Sequence, residues 1–161
     1  MNPKHRPLEP ASAGHSRLAP MALAMLRIVS ALLFLEHGTQ KFLSFPAGRW
    51  AGSGLALDDL ADVAGLIELV AGTLIAIGLF TRPAALLASG TMAVAYWMAH
   101  APQGFFPVNN RGDAAVLYCF IFLTFAVSGG GVLSLDELRR RVRRKSRHPK
   151  RPTNMSDILV D

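Results

Sequence analysis

Four apolar stretches dominate the chain, and each is near the length that a helix needs to cross a membrane. A hydrocarbon core of about 30 Å takes roughly 20 residues of helix. We expect spans at about residues 21–44, 58–80, 83–101 and 113–131, separated by segments rich in glycine, proline and charge. Four antiparallel helices with short connections predict an all-α, four-helix transmembrane bundle in up-down-up-down order.

Charge is distributed unevenly along the chain, and this distribution argues against a soluble nucleic-acid-binding domain. The chain of 161 residues is 51% hydrophobic and 17% charged, with a formal net charge of +6. A basic surface on a soluble domain would suggest nucleic acid, but here the basic residues flank apolar stretches. We therefore expect the lipid bilayer, and no nucleic acid, as the partner. The single cysteine, Cys119, excludes an intrachain disulfide.

The basic C-terminal segment sets the expected orientation. Residues 139–151 hold nine of the seventeen lysines and arginines, and such residues accumulate on the cytoplasmic side of membrane spans. An even number of spans then places both termini in the cytoplasm of a multi-pass protein of the bacterial inner (plasma) membrane. We expect a disordered basic arm over residues 1–19, a transmembrane domain over 20–133 and a basic cytoplasmic tail over 134–161.

Ser134 and Glu137 have the spacing of a capping box, in which a serine cap and a glutamate three residues later open a helix. The pattern predicts a short, basic juxtamembrane helix at the start of the tail. Two roles stay open for this helix. It is either a topology signal that touches anionic lipid or a docking site for a soluble partner.

Several polar and ionisable residues interrupt the apolar stretches at similar depth. Ionisable groups inside spans are costly and usually face the interior of a bundle. Glu68 lies about 15 Å from the outer end of the second span, counted at 1.5 Å per residue. Of the ionisable span residues, only Arg27 lies in the inner half, so we predict a polar cluster in the outer half. Its candidate members are Glu36, His37, Gln40, Lys41, Glu68, Tyr96, His100, Asn110 and Asp113.

Two interpretations of Glu68 stay open. It shares a helix face with a row of small residues, which let a neighbouring helix approach closely. That row comprises Ala61, Gly65 and Gly72. A carboxyl group in such a place must be protonated or paired with a cation, because an unpaired buried charge is too costly. Glu68 is therefore either the acid of a structural ion pair with Arg27, Lys41 or His37, or a functional residue.

Other kinds of site have little support in the sequence. His37 and His100 could provide axial ligands to a haem from facing helices, but the chain has no HxxxH or CxxCH spacing. No nucleotide-binding loop, Ser-His-Asp set or CxxC pair is recognisable. We therefore assign no metal ligand and no catalytic residue from the sequence, and whether the chain is an enzyme stays open.

The chain resembles the DoxX family of small integral membrane proteins through short motifs that occur in order between Leu26 and Asp136. The motifs are Leu35-Glu36-His37-Gly38-Thr39-Gln40-Lys41-Phe42, Gly65-Leu66-Ile67-Glu68-Leu69-Val70-Ala71-Gly72, Gly78-Leu79-Phe80-Thr81-Arg82-Pro83, Ala95-Tyr96, His100-Ala101-Pro102, Phe105-Phe106-Pro107-Val108-Asn109-Asn110, Gly129-Gly130-Gly131 and Ser134-Leu135-Asp136. The chain departs from the pattern where many relatives have Asn-Gly, because Asn110 is followed by Arg111. The basic tail after Asp136 also lies outside it.

The resemblance implies a four-helix inner-membrane protein. Some family members are implicated in quinone-linked oxidation, as a small subunit of a thiosulfate:quinone oxidoreductase or as a partner in membrane oxidoreductase complexes that handle thiol or oxidative stress. The polar residues that match the family's motifs are His37, Gln40, Lys41, Glu68, Arg82, His100 and Asn110.

We accordingly expect a membrane subunit of, or an accessory to, a quinone-linked oxidoreductase complex. The polar cluster would hold a quinone head group or relay its protons, since quinone reduction consumes protons as well as electrons. A soluble or membrane oxidoreductase partner would supply the electrons, because the sequence shows no redox centre. The alternatives are a proton or small-solute pathway and a scaffold that anchors a soluble enzyme through the basic tail.

Overall fold

Helices form all the regular structure of residues 18–48 and 60–147, which are the residues that this computed structural model describes. No strand occurs among them, so the prediction of an all-α chain is confirmed. A π-helical turn, Tyr96–His100, and a 3-10 turn, Ala101–Gln103, continue the third helix. In chain order the α-helices are α1 (Leu18–Leu43), α2 (Leu60–Ile77), α3 (Thr81–Ala95), α4 (Pro107–Asn110), α5 (Asp113–Ser128) and α6 (Leu135–Arg147).

Some sequence predictions lie outside the described residues. They are the basic arm up to residue 17, the loop from Arg49 to Gly54, the acidic start of the second span at Asp58 and Asp59, and the tail from residue 148 onward.

The turn between α2 and α3 lies earlier in the chain than the predicted spans 58–80 and 83–101 imply. α2 ends at Ile77, and α3 begins at Thr81. Residues with positive φ end a helix, and both Gly78 (φ 71°) and Phe80 (φ 48°) adopt this conformation. α2 therefore stops before residue 80. α3 starts at Thr81, two residues before Pro83, which is tolerated because the first turn of a helix needs no N–H donor.

The segment expected as a loop over residues 102–112 contains the short helix α4. Pro107 occupies its first turn, and Arg111 ends it with φ 59°. α5 then begins at Asp113 and stops at Ser128, because Gly129 leaves the helical conformation with φ 83°. The fourth apolar helix is thus shorter than the predicted span by a few residues.

Close contacts between small residues bring α1 and α2 together. A Cβ atom added to Gly38 would lie 2.8 Å from the carbonyl oxygen of Gly65, and one added to Gly72 would lie 3.2 Å from the Cβ of Leu35. The absence of side chains at these positions lets the two backbones approach closely. α3 packs against α5, where the hydroxyl of Ser89 donates to the carbonyl oxygen of Cys119 (2.8 Å), and the buried residues of α3 include Ala84, Ala85 and Ala88.

The outward faces of the long helices are apolar. The core contains the aromatic side chains Phe34, Phe122 and Phe125 together with Ile75. A soluble monomer rarely exposes large contiguous apolar patches. Here exposed leucine and valine side chains are spread over all four long helices, including Leu32, Leu33, Val63, Val70, Leu86, Leu87, Leu117 and Leu123.

Two helices, α1 and α2, are long and apolar enough to cross a membrane, and α5 is a shorter apolar helix. α3 carries less apolar character but continues through its π-helical turn to His100.

Arg27 on α1 forms hydrogen bonds with the part of the chain where α2 turns into α3. Its side chain is fully buried, with 0% exposure. The Nη1 group donates to the carbonyl oxygens of Ile75 (2.5 Å) and Ala76 (2.7 Å) at the end of α2, and Nη2 donates to that of Leu133 (2.9 Å). The last carbonyls of a helix have no partner inside it and carry partial negative charge. Arg27 therefore joins α1, α2 and the segment before α6.

Candidate functional site

A cavity of about 680 Å³ lies between α1, α2, α3 and α5. Its walls are largely apolar and include Ile67, Met92 and Ala115. Exposed lining residues occur on all four helices. Those on α2, on α3 and on the π-helical turn include Val63, Val94 and Met98, so the cavity has an open side between α2 and α3. Ligand pockets in proteins have this size and combine apolar walls with a few polar groups. The polar groups of this cavity are His37, Lys41, Glu68, Thr91, His100, Arg111 and Tyr118.

Lys41 and Glu68 form an ion pair in the wall of the cavity. The Nζ atom of Lys41 donates to both carboxylate oxygens of Glu68, at 3.0 and 2.9 Å, and also lies 3.4 Å from the carbonyl oxygen of Ala61. The Glu68 residue is only 4% exposed. Of the cations that the sequence offered as partners for Glu68, the structure brings Lys41 into contact with it. The charged group is thereby kept in an apolar wall, where an isolated carboxylate would be too costly.

Gly65 creates the path by which Lys41 reaches Glu68. A Cβ atom on Gly65 would lie 2.9 Å from the Cδ of Lys41 and 2.9 Å from the Cε2 of Phe42. The aliphatic part of the lysine side chain therefore crosses α2 over the missing side chain of Gly65. Gly65 lies on the same face of α2 as Glu68. Its lack of a side chain thus allows both the close approach of α1 and α2 and the ion pair between Lys41 and Glu68.

His100 is held at the cavity wall by the loop that precedes α5. Its Nδ1 atom lies 3.0 Å from the carbonyl oxygen of Asn110. A carbonyl can only accept a hydrogen bond, so Nδ1 carries the proton. The neutral ring then has Nε2 as its acceptor. His100 ends a π-helical turn, a distortion that is frequent at functional sites.

Asn110 organises this loop from a buried position. It is 1% exposed, its side-chain amide donates to the carbonyl oxygen of Gly104 (2.7 Å), and its Oδ1 accepts from the N–H of Gly112 (2.8 Å). The same amide lies 3.5 Å from the hydroxyl of Tyr96. Asn110 and Tyr96 therefore do not line the cavity. Asn110 contacts the His100 ring through its carbonyl oxygen, and Tyr96 contacts the amide of Asn110.

The structure divides the nine residues of the predicted polar cluster into three groups. His37, Lys41, Glu68 and His100 line the cavity, whereas Tyr96 on the π-helical turn and Asn110 in the following loop lie next to His100 without lining it. The remaining three lie elsewhere. Glu36 is exposed on α1 and does not line the cavity, Gln40 donates to the carbonyl oxygen of Pro46 (3.2 Å), and Asp113 is exposed at the start of α5.

Three polar cavity residues, Thr91, Arg111 and Tyr118, were missing from the sequence prediction. Tyr118 lies on α5 with its ring 6.3 Å from that of His37, edge to face, and 5.8 Å from that of Phe122, nearly parallel. Arg111 reaches the cavity from the loop. A signal for Tyr118 existed, because a phenol inside an apolar stretch, one to two turns after Asp113, falls at the depth of the other polar residues.

Within residues 18–48 and 60–147, no three His, Cys, Asp or Glu side chains are grouped in a way that could hold a metal ion. The polar groups that line the cavity can form hydrogen bonds and exchange protons. Lys41 and Glu68 supply a charged donor–acceptor pair, and His100 supplies a ring whose proton is fixed on one nitrogen. Such a set suits a ligand with oxygen atoms on an apolar ring.

Comparison with known proteins supports the membrane assignment. The family model described as DoxX matches residues 22–101. An uncharacterized protein of Haemophilus influenzae is 48% identical over 120 residues, which cover 73% of this chain and 90% of that protein. The uncharacterized membrane protein Rv3486 of Mycobacterium tuberculosis is 35% identical over 133 residues, covering 73% and 80% of the two chains.

A third relative, the inner membrane protein YphA of Escherichia coli, is 31% identical over 127 residues, which cover 73% of this chain and 89% of YphA. No solved structure matches the chain. The matched region includes α1, α2, α3 and the π-helical turn, and therefore Lys41, Glu68 and His100. This chain is a membrane protein and belongs to the DoxX family.

Proposed function

We propose that α1, α2, α3 with its π-helical turn, and α5 each cross the bacterial inner membrane, with both termini in the cytoplasm. Residues 81–100 together supply about 30 Å of helix, enough for a span. α5, with 16 residues, is shorter, and a bilayer can thin locally to match such a helix. The basic helix α6 supports a cytoplasmic C-terminus. Reporter fusions after Gly104 and Asp161 test this, and an external signal from the second fusion would refute it.

We further propose that the protein is a membrane subunit of a quinone-linked oxidoreductase complex and that its cavity binds the quinone head group. The cavity itself carries this proposal, since it joins apolar walls to the Lys41–Glu68 pair and His100. Its opening between α2 and α3 is flanked by exposed apolar side chains. An isoprenoid quinone dissolved in the bilayer could therefore enter from the side, with its tail remaining among the lipids.

The proposed chemistry assigns roles only to groups of this chain that line the cavity. Reduction of a quinone to a quinol takes two electrons, which the partner oxidoreductase supplies, and two protons. Glu68 and the Nε2 atom of His100 each first take up one proton from water and pass it to a quinone oxygen as the electrons arrive. Lys41 donates a hydrogen bond to one quinone oxygen, and Glu68 exchanges the proton at that end. The Nε2 atom of His100 holds or releases the proton at the other end, while the bond from Nδ1 to Asn110 keeps the ring in place.

The experiment measures binding of a short-chain quinone, decylubiquinone, to the purified full chain in detergent. Thr91 lines the cavity and Thr73 lies exposed on α2 away from it, so the two residues provide a matched pair of substitutions. We expect Thr91→Phe to fill the cavity and weaken binding at least tenfold, and Thr73→Phe to leave binding within twofold. Glu68→Gln should weaken quinone binding while keeping the cavity's shape.

Decylbenzene, which has the chain and ring but no oxygen atoms, is the ligand control. The proposal predicts that it binds at least tenfold more weakly than decylubiquinone. Equal binding of the two compounds, or equal effects of the two phenylalanine substitutions, would show that the cavity does not recognise a quinone. Unchanged quinone-linked respiration in cells that carry Glu68→Gln would contradict the assignment to such a complex.

A further inference from the structure

The helix α6 has an exposed apolar row along one side. Leu135, Leu138 and Val142 are spaced by three and four residues, so they share a face of the helix. Their side chains are 40%, 56% and 58% exposed. Leucine and valine in regular helical spacing on an otherwise very basic helix give it two chemically different sides.

Arginines dominate the rest of α6. Together with Phe80 and Asp136 they line a surface depression of about 490 Å³. The guanidinium carbon of Arg139 lies 5.2 Å from the centre of the Phe80 ring, close enough for a cation–π contact. The arginines that line this depression are Arg139, Arg140, Arg143, Arg144 and Arg147.

The carboxylates near these arginines, Asp136 and Glu137, neutralise only part of the positive charge. Asp136 accepts hydrogen bonds from the backbone N–H groups of Phe80 (3.0 Å) and Thr81 (2.9 Å), and Glu137 is bonded to Arg140 and to the Nε of Arg141 (2.8 Å). Two acidic side chains therefore face a larger number of guanidinium groups. The depression keeps a net positive charge and suits a ligand with several negative charges.

The start of α6 is fastened to the end of the bundle. The N–H of Asp136 donates to the carbonyl oxygen of Gly78 (2.9 Å), and the hydroxyl of Ser134 accepts from the N–H of Glu137 (3.2 Å), as a serine cap does. Only residues 129–134 separate α6 from α5. The helix is consequently held at the level where the long helices end.

We propose that α6 is a phospholipid-binding helix that lies on the membrane surface, with its apolar row in the acyl boundary and its arginines on the phosphates of anionic lipids. This rests on the proposed placement of the long helices across the membrane and goes beyond quinone binding. An acidic soluble protein could engage the arginines, but it would need a separate apolar groove for the leucine row. A leaflet with anionic lipids offers both surfaces at once.

The first experiment measures the depth of α6 in nanodiscs. Single spin labels are placed at Val142→Cys and Arg144→Cys in a Cys119→Ala background, because these two positions lie on opposite sides of the helix. We expect the label at 142 to be accessible to oxygen and protected from a water-soluble nickel chelate, and the label at 144 to show the reverse. Equal exposure of both labels to the nickel chelate would overturn the proposal.

The second experiment titrates phosphatidylglycerol and phosphatidylcholine into the full chain and counts bound lipids by native mass spectrometry. Arg139→Gln with Arg143→Gln and Arg147→Gln removes three charges from the depression. The matched control removes three charges from the N-terminal arm, at Lys4, Arg6 and Arg17. At about 1 kcal/mol per basic residue near a lipid surface, the α6 variant should lose about a hundredfold in affinity for phosphatidylglycerol. The control should lose less than fivefold.

Three results would count against the proposal. Equal affinity of the wild-type chain for the two lipids would exclude recognition of the negative charge. Equal losses in the two triple variants would mean diffuse attraction rather than a site on α6. Binding of an acidic soluble protein that requires Arg139 and Arg143, with lipid binding unchanged, would identify the alternative occupant.

Discussion

Replacing Lys41 by methionine tests how much the free energy of unfolding depends on the ion pair between Lys41 and Glu68 in the cavity wall. The substitution keeps a similar unbranched chain over Gly65 but removes both hydrogen bonds that Nζ donates to the carboxylate. Glu68 stays behind in an apolar wall with its side chain 5% exposed. Removing one partner of a buried pair typically costs 3–5 kcal/mol, because the other charge is left uncompensated.

The expected magnitude lies at the lower end of this range, at about 3 kcal/mol, because the Lys41 side chain is itself 16% exposed and the pair is at the edge of the cavity. The reverse substitution, Glu68→Gln, should cost only about 1 kcal/mol. It leaves the partly exposed lysine, which retains the carbonyl oxygen of Ala61 within 3.4 Å. The double substitution Lys41→Met with Glu68→Leu should be close to neutral, since no buried charge remains.

The assay is reversible unfolding in mixed micelles with increasing sodium dodecyl sulfate, followed by far-ultraviolet circular dichroism. Lys145→Met, on the exposed surface of α6, is the matched control and should change the free energy of unfolding by less than about 0.5 kcal/mol. The reasoning fails if Lys41→Met costs no more than this control. It fails equally if Glu68→Gln destabilises the protein more than Lys41→Met does. An unpaired glutamate would then cost less than an unpaired lysine at this place.

Substitutions at two further residues, Arg27 and Asp136, address the end of the protein at which α2 turns into α3. Arg27→Met should cost about 3 kcal/mol in the same unfolding assay. Arg27→Lys should cost less, because the ammonium group can still donate to a carbonyl oxygen, although it cannot bond Ile75 and Leu133 with two separate nitrogens; equal losses would refute this. Asp136→Asn should cost about 1 kcal/mol as a weakened helix cap. Partial burial raises the pKa of Asp136, but N–H groups from Thr81 and its neighbour outweigh this and hold the pKa below the ordinary value of 3.8. The stabilisation by Asp136 is thus complete above that value and is lost as the pH falls through the lowered pKa. Asp136→Asn should remove this acid-dependent loss of melting temperature, and an unchanged pH profile would contradict the assignment.

The sequence predicted an all-α membrane protein and its family, because apolar length and ordered motifs report these properties directly. It also narrowed the partner of Glu68 to three cations. The choice of Lys41 depends on the rotation of α1 about its own axis, which apolar length does not fix. Glu36 and Gln40 share one face of that helix, and His37 and Lys41 share the next. The structure turns the second pair towards the cavity.

The loop residues were harder to assign. Asn110 looked like one more member of a polar cluster, yet its amide bonds the backbone of Gly104 and Gly112. Such contacts depend on the path of the chain between α3 and α5, including the positive φ of Arg111. A sequence motif can identify Asn110 as a candidate residue. Only the folded loop shows that the backbone carbonyl oxygen of Asn110 positions His100.

The two basic residues of α1 that contact other helices, Arg27 and Lys41, have different kinds of partner. Arg27 is fully buried, lies outside the cavity lining and donates its hydrogen bonds to backbone carbonyl oxygens. Lys41 is instead met by a carboxylate, in a wall that a ligand can reach. A chain that needed only to hold its helices together could use carbonyls at both places. The titratable pair therefore supports a role in proton exchange at the cavity, and that role is what Glu68→Gln tests.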